Sequence, residues 1–495
     1  SERFRATPAP PYREKPRRMP SNADQLRALA DSYVPDTVVR SDGLKQTEMH
    51  IGEETFPVYL GHNKLPELVA QLKTLDMDKV FLGYDENTKK YCAPRLEAEL
   101  ERQGIPFFSC VMGVTENAKN MQSLDHILET FLKGGGSRKT VVMPVGGGIV
   151  ANTFGLASGL LFRGIRLVQC PTSFLNAHDA AASSQKQAIN HAGYKNIVGL
   201  FHLPLMALID TSFYETLGEE ELKAGLGELT KNAALFGGMH HDLMLRTTMV
   251  KGWRLTGEEL VDATVIGLGA KDMLLRHDPK EKNLALLFEY GHTVGHALEL
   301  SAGVYTSHGE GVTIGMLAAS YMSNAMGIMS DVDRTAHDAL VIALDPKIRL
   351  PAHDITEEVL EKVMHDNKRG YVPEREGHCP FILNQRVGEM HAPNKFYLEY
   401  VPVHLVREAI VWTVDTMRKA TTAGSLRDIL APDVTVYSDN GLYDAPESSL
   451  SRAPTQLKAL SEMLESDMRI SDGKETRNGS VNGTTSPTST GPTAA

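Results

Sequence analysis

Cysteine is scarce in this chain: Cys92, Cys110, Cys170 and Cys379 lie far apart and form no CxxC. A disulfide framework is therefore not expected, and buried thiols in a reducing cytoplasm are. Positive charge is also in short supply. Lys and Arg number 51 against 62 Asp and Glu, a formal net charge of −11, which speaks against a general nucleic-acid or acidic-membrane surface. A local basic pocket for an anionic substrate is compatible with that balance. No apolar run approaches the roughly 18 residues of a membrane-crossing helix. The opening stretch SERFRATPAPPYREKPRRMP has no hydrophobic segment, so a secretory signal is not expected, and its prolines oppose the amphipathic helix of a transit peptide. The closing stretch SDGKETRNGSVNGTTSPTSTGPTAA has almost nothing to bury, which predicts a disordered tail.

What is present is a core. The chain has 495 residues, 42% of them hydrophobic, enough for two or three domains. From about Glu48, strand-like FPVYLG, KVFLGYD, IPFFSCVMG and TVVMPVGGG alternate with helix-like LEAELERQG and SLDHILETFLKGGG. That alternation predicts a parallel sheet wound with helices. Beyond about Glu219, segments such as EEELKAGLGELTKNAALF, EELVDATVIGLGAKDMLL and GVTIGMLAASYMSNAMG carry apolar residues at helical spacing. The expected plan is an N-terminal α/β domain over 48–218 and an all-α C-terminal domain over 219–417. A poorly ordered arm over 1–47, an extension of unknown role over 418–470 and a tail over 471–495 complete it.

Several clusters carry chemistry. GGGIVANTFGLASG, from Gly146, follows a strand and opens a helix; such glycines let a backbone approach a phosphate, and the helix start favours negative charge. A structural turn explains it equally well. Asp85 closes the strand KVFLGYD, where an acid can hold a ribose hydroxyl, although strand-end aspartates more often cap helices. Asp179, Lys186, Gln187, Asn190, Lys195 and Asn196 follow the strand-like IRLVQCPTS. They suit a phosphorylated, hydroxyl-rich ligand, or a solvated loop. Lys231 stands one helical turn after Glu228, and EYGHTVGHALE puts His292 and His296 on one helix face, sixteen and twelve residues ahead of His308. One carboxylate and two imidazoles make an open three-ligand zinc site, but spacing alone does not choose Glu228, His292 and His308 over ordinary core histidines.

Read together, DEN (Asp85 to Asn87), E-x-x-K (Glu116, Lys119), GGG, FRG (Phe162 to Gly164), PTSFL, KQAIN, KN, GLGELTKN, EYGHTVGHALE, HGE and HDNKRGY occur in the order found in the sugar phosphate cyclases, the dehydroquinate synthase-like family. The resemblance runs from roughly residue 50 to 410. It implies a nucleotide-binding domain packed on a helical metal-binding domain, with Glu228, His292 and His308 as ligands of zinc or cobalt. It places Asp85, Asn87, Glu116, Lys119, Gly147, Gly148, Asn152, Thr172, Ser173 and Thr211 around NAD. Lys186, Lys231, Glu289 and His296 are the implied catalytic residues, and Asp179, Lys195, Asn196, Lys271 and Lys368 the implied substrate contacts. Arg163 would reach the substrate phosphate from a second copy, as this family forms homodimers.

Within the family, dehydroquinate synthase has asparagine three residues before the first metal histidine and, four earlier, an arginine that grips a substrate carboxylate. Here those positions are Glu289 and Ala285. Alanine cannot pair with a carboxylate and glutamate repels one; losing a charge-assisted pair costs roughly 1.5–3 kcal/mol. Asn152 also stands where dehydroquinate synthase has aspartate. KQAIN, HDNKRGY and the glutamate of EYGHT resemble the branch acting on glucose 6-phosphate, and valiolone-forming members lack GHTxGHA. An uncharged-headed sugar phosphate is therefore expected. The implied chemistry is transient oxidation by NAD, phosphate elimination, re-reduction and intramolecular aldol closure. Rival readings are dehydroquinate synthase or another heptulose-phosphate cyclase, a metal-dependent polyol dehydrogenase, and a catalytically dead homologue. One departure stands out: Asp179 and Lys186 are seven residues apart, where the family has six.

Overall fold

A computed structural model of the chain describes residues 37–430, apart from 181–182, 193, 246, 249–253 and 367–369. The predicted tail, the unassigned stretch beyond 430, and Lys368 lie outside the described residues.

The first half is an eight-stranded sheet. Its strands are β1 (Thr37–Val39), β2 (Lys45–Ile51), β3 (Glu54–Gly61), β4 (Val80–Asp85), β5 (Phe107–Met112), β6 (Val141–Gly146), β7 (Val168–Pro171) and, after a separate hairpin of β8 (Lys186–His191) and β9 (Tyr194–Phe201), β10 (Met206–Asp210). The order is β1-β2-β3-β10-β7-β6-β4-β5. From β3 to β5 every pairing is parallel, while β1 and β2 add an antiparallel edge. β6 and β10 are buried at every residue, as strands covered on both faces must be, and so they read as unbroken apolar runs. Residues 37–47, which the sequence reading leaves in the N-terminal arm, contain β1 and the start of β2. In KQTEMHI only alternate positions from Thr47 are buried, and the charges between them mask the strand.

The second half is mainly helical. The helix Glu219–Phe236 is buried almost continuously from Lys223 onward, so it forms the middle of this half rather than its surface. Helices Gly257–Leu275, His308–Ala325 and Asp331–Leu344 pack against it, and His292–Glu299 and Val403–Ala423 form a further layer on His308–Ala325, with Thr356–Met364 against both. Two small antiparallel pairs, His378–Ile382 with Leu398–Pro402 and Asn384–Arg386 with Glu389–Met390, add to the helical plan. The helix from Val403 continues past residue 417, because VHLVREAIVWTVDTMRKATTA keeps its apolar face throughout. Among the described residues no helix is long and apolar enough to cross a membrane.

Glycines let three helices meet at backbone distance. A Cβ on Gly227 would fall 2.3 Å from the Gly309 carbonyl oxygen, and one on Gly315 would fall 1.9 Å from that of Gly291. Each contact neighbours a residue of interest in sequence: Glu228, His308 and His292. Close crossing is how three distant segments come to share one small volume.

Candidate functional site

Glu228 lies at the centre of that volume, fully buried. Its Oε1 is 3.4 Å from His292 Nε2 and 3.3 Å from His308 Nε2, and Lys231 contacts Oε2. These are charge contacts; neither carboxylate oxygen makes a well-aligned hydrogen bond. Burial would raise the Glu228 carboxyl, but Lys231 and both imidazoles hold it well below the usual carboxylate range. The outer nitrogens of the two rings are held from behind. His292 Nδ1 is 3.1 Å from the Tyr290 carbonyl oxygen, and His308 Nδ1 is 3.4 Å from Glu299 Oε2. An acceptor behind Nδ1 turns the Nε2 lone pair forward, the arrangement found behind metal-bound histidines. A buried carboxylate without aligned donors, between two such rings, fits a divalent cation.

His296 joins them. The ligand-capable atoms of His292, His296 and His308 all lie within 4.8 Å of one another, and the His296 ring stacks on His308 at 5.4 Å. Two candidate triads thus share His292 and His308. Among the described residues no hydrogen-bond partner orients His296. Burial and the neighbouring imidazoles push its pKa down to about 3, so it is neutral. The charge and the oriented rings favour Glu228 as the third ligand.

Lysines line the next layer. Asp179 Oδ1 is 3.2 Å from Lys271 Nζ and 3.6 Å from Lys231 Nζ, so the extra residue before Lys186 leaves Asp179 in the cluster. Both ammoniums sit over the Phe288 ring, at 4.0 Å for Lys271 and 5.3 Å for Lys231, a cation–π platform. Burial opposes the charge on Lys231, but Asp179 and Glu228 hold its pKa up. The hairpin of β8 and β9 brings Lys186 against Glu281 and Lys195 to 2.6 Å from Glu299 Oε1. Glu289, at the end of the turn Leu284–Glu289, acts electrostatically on Lys186, Lys231 and His296.

Across the strand ends, the helix Gly148–Leu160 starts without a side-chain cap. A Cβ on Gly148 would meet nothing within 4 Å, and one on Gly147 only Ser173 Oγ at 3.7 Å. Open space over bare N–H groups fits a phosphate of a dinucleotide. The Thr172 amide donates to the Gly146 carbonyl at 3.1 Å, which holds Ser173 beside the turn. Asn152 Nδ2 donates to the Gly148 carbonyl at 2.9 Å. Asp85 caps the helix Glu86–Tyr91, accepting from the Thr88 amide at 2.7 Å, and Asn87 is exposed on that first turn. Lys119 contacts Asn196, while Asn190 Nδ2 donates to Glu116 Oε1 at 2.8 Å, so the hairpin is tied to the turn 116–119. Thr211 stands apart from the glycine turn, its hydroxyl 3.1 Å from His62 Nδ1. Arg163 is exposed on the turn Leu161–Arg163, with φ of 68°.

Sequence reasoning missed Glu281, Glu299, Phe288 and Tyr290 as working residues. Tyr290 and Glu299 lie inside EYGHTVGHALE and Phe288 stands just before it, so proximity to a motif was the available signal; Glu281 gave none.

A parallel sheet with a bare glycine turn, followed by helices holding an oriented carboxylate–imidazole cluster, defines a two-part enzyme of dehydroquinate synthase-like fold. Family models described as 3-dehydroquinate synthase N-terminal and C-terminal match residues 109–224 and 225–369. The 2-deoxy-scyllo-inosose synthase of Streptomyces ribosidificus is 33% identical over 367 residues, 74% of this chain and 93% of that protein. That of Niallia circulans is 32% identical over 306 residues, 60% of this chain and 80% of its own. A crystal structure of 2-deoxy-scyllo-inosose synthase complexed with carbaglucose-6-phosphate, NAD+ and Co2+ superposes with a TM-score of 0.67 at 28% identity, covering 74% of this chain and 99% of that one. A 2-epi-5-epi-valiolone synthase from Streptomyces hygroscopicus with NAD+ and Zn2+ bound shares the fold, with a TM-score of 0.62 at 21% identity over 73% of this chain and 98% of its own. The chain belongs to the sugar phosphate cyclase family, the dehydroquinate synthase-like enzymes.

Proposed function

We propose that this protein converts glucose 6-phosphate into 2-deoxy-scyllo-inosose and inorganic phosphate, using one NAD and one divalent cation, zinc or cobalt. The hydride taken from the substrate is returned, so ketone and phosphate together account for every atom of the substrate. Because the carbon–oxygen bond to phosphate is broken by elimination, the enzyme would be a carbon–oxygen lyase. The observation that carries this reading is Glu289. Its charge acts on Lys186, Lys231 and His296, within the polar cluster, where it would repel a substrate carboxylate. Ala285, where dehydroquinate synthase places its carboxylate-binding arginine, is fully buried, and its amide donates to Asp278 Oδ2 at 3.0 Å.

In this reading Glu228, His292 and His308 hold the cation and His296 faces the substrate. When bound, the cation supplies a Lewis acid and NAD a hydride acceptor. Lys186, Lys195, Asn196, Lys231 and Lys271 gather the phosphate and the developing negative charge, with Asp179 fixing two of them; Lys368 would join from outside the described residues. Glu289 takes or relays the proton removed from the substrate. Asp85, Asn87, Glu116, Lys119, Gly147, Gly148, Asn152, Thr172, Ser173 and Thr211 would surround NAD.

The functional unit would be a homodimer in the cytoplasm, with Arg163 reaching the phosphate bound by the other copy. Support comes from exposed apolar side chains beside it in sequence and on β9. Leu160 and Phe162 flank Arg163 on the helix Gly148–Leu160 and its following turn, and Tyr194, Ile197 and Phe201 are exposed on β9. Buried free cysteines are consistent with a reducing compartment.

The test is incubation of purified protein with NAD, Co2+ and, in parallel, glucose 6-phosphate, a heptulose phosphate and a heptulosonate phosphate. Phosphate release from glucose 6-phosphate without accumulating NADH supports the proposal. Phosphate release from only a seven-carbon substrate supports a heptulose-type cyclase. Stoichiometric NADH supports a polyol dehydrogenase.

A further inference from the structure

Tyr290 belongs to the segment that supplies two imidazoles of the cluster, yet the proposed chemistry leaves it unused. Tyr290, His337 and Asn384 are each completely buried. The phenol oxygen lies 2.8 Å from His337 Nε2 and donates to Asn384 Oδ1 at 2.8 Å. Behind it, His337 Nδ1 is 2.8 Å from Asp338 Oδ1, which accepts from Ser320 Oγ at 2.7 Å. The residue following the turn Leu284–Glu289, the helix Asp331–Leu344 and the strand Asn384–Arg386 therefore converge on one hydroxyl. Moving that phenol would strand buried polar groups, which is costly where water is excluded.

The other end of the same residue reaches the cluster. The Tyr290 carbonyl oxygen is the acceptor 3.1 Å from His292 Nδ1. Between them Gly291 has φ of 76°, and a Cβ there would lie 2.5 Å from the Val312 carbonyl oxygen. The backbone at Gly291 is confined by the helix His308–Ala325, since that Cβ would also lie 2.8 Å from Met316 Cγ. Fixing the phenol fixes the carbonyl, and the carbonyl sets the His292 ring and its tautomer, with Nε2 toward Glu228.

We propose that Tyr290, clamped by His337 and Asn384, is a positioning residue that orients His292 for a divalent cation. This rests on the reading of Glu228, His292 and His308 as cation ligands. Outer partners of metal-bound histidines are generally worth 10–100-fold in metal affinity, and a clamp one step further back should act near the lower end of that range.

Apoprotein is titrated with Co2+ against a competing chelator, following the visible cobalt absorption. Tyr290→Phe, which deletes only the hydroxyl, should bind Co2+ roughly tenfold more weakly, with shifted cobalt bands. It should add little further loss in a His292→Ala background, because the two changes act through one ligand. Asn384→Ala keeps the phenol and removes one partner; it should shift affinity the same way and decides the matter if Tyr290→Phe fails to fold by far-UV circular dichroism. Wild-type affinity and bands in the folded variant, or an equal loss on the His292→Ala background, overturn the clamp. Wild-type protein that takes up no stoichiometric Co2+ overturns the cation reading instead.

Discussion

Glu299 Oε1 lies 2.6 Å from Lys195 Nζ, while its Oε2 lies 3.4 Å from His308 Nδ1. One carboxylate thus connects the hairpin of β8 and β9 to the start of the helix that carries a proposed cation ligand. Burial would raise its pKa, but His308 and Lys195 together hold it well below the usual range, so it remains charged wherever the protein is folded at neutral pH. Cation affinity and substrate affinity should therefore respond to the same side chain.

Glu299→Ala should weaken Co2+ binding by roughly 10–100-fold and also raise KM for the phosphosugar, because Lys195 loses its partner. Glu299→Gln keeps an acceptor for one neighbour and should lose less of both. Chelator competition reads the first quantity and steady-state phosphate release the second. A change in KM with metal affinity intact would mean that Glu299 serves Lys195 alone.

The glycine contacts predict two opposite outcomes. A Cβ on Gly309 would lie 1.9 Å from the Ala224 carbonyl oxygen, so Gly309→Ala must push the helices Glu219–Phe236 and His308–Ala325 apart. Overpacking of this kind costs about 1–3 kcal/mol or more, and the midpoint of thermal unfolding and the bound cation should fall together. Gly148→Ala meets nothing within 4 Å and sits at the first position of a helix, where the added methyl is accommodated without strain. It should preserve or raise the unfolding midpoint while weakening NAD binding, measured by quenching of protein fluorescence.

Much of this was legible in the sequence. The parallel strands are unbroken apolar runs, and the long helices keep apolar spacing, so both announce themselves locally. Glu228, His292 and His308 were legible through family resemblance and do converge, whereas spacing alone left them among ordinary histidines. Other features were silent for a physical reason. Glu299 and Lys195 are 104 positions apart, and Glu281 and Lys186 are 95 apart; no periodicity encodes such pairings. Gly227, Gly309 and Gly315 read locally as weak points in helices, and only the neighbouring backbone reveals them as contact points. The β2 strand was hidden because only one of its faces is buried, which leaves polar and charged residues at alternate positions.

Two buried histidines predict an acid-sensitive fold. His178 is completely buried, its ring 4.9 Å from Phe174, and burial pushes its pKa down to about 4; burial does the same to His240. In the unfolded chain both titrate near 6.5. Between those values the unfolded state binds more protons, so stability is full above pH 6.5 and falls as pH drops toward 4. Each histidine contributes a slope of about 1.4 kcal/mol per pH unit. His178→Leu should remove one such share, so its urea midpoint should fall less steeply than that of the wild type between pH 6.5 and 4.5. Parallel curves would mean that the folded protein already tolerates a charged His178.

Glu289→Gln separates chemistry from selection. The amide keeps the shape of the side chain and deletes the charge that acts on Lys186, Lys231 and His296. If Glu289 moves the substrate proton, kcat for phosphate release from glucose 6-phosphate should fall by roughly 10²- to 10⁴-fold, with KM little changed. If it also screens out carboxylates, a heptulosonate phosphate should become a tighter competitive inhibitor in the variant, since the repulsion is gone. Ala285 still provides no cation to grip that carboxylate, so the gain should stop short of making it a good substrate. Unchanged turnover would remove Glu289 from proton transfer, and an unchanged inhibition constant would remove it from substrate choice. The two readouts are independent because one concerns a proton in flight and the other a standing charge within the same cluster.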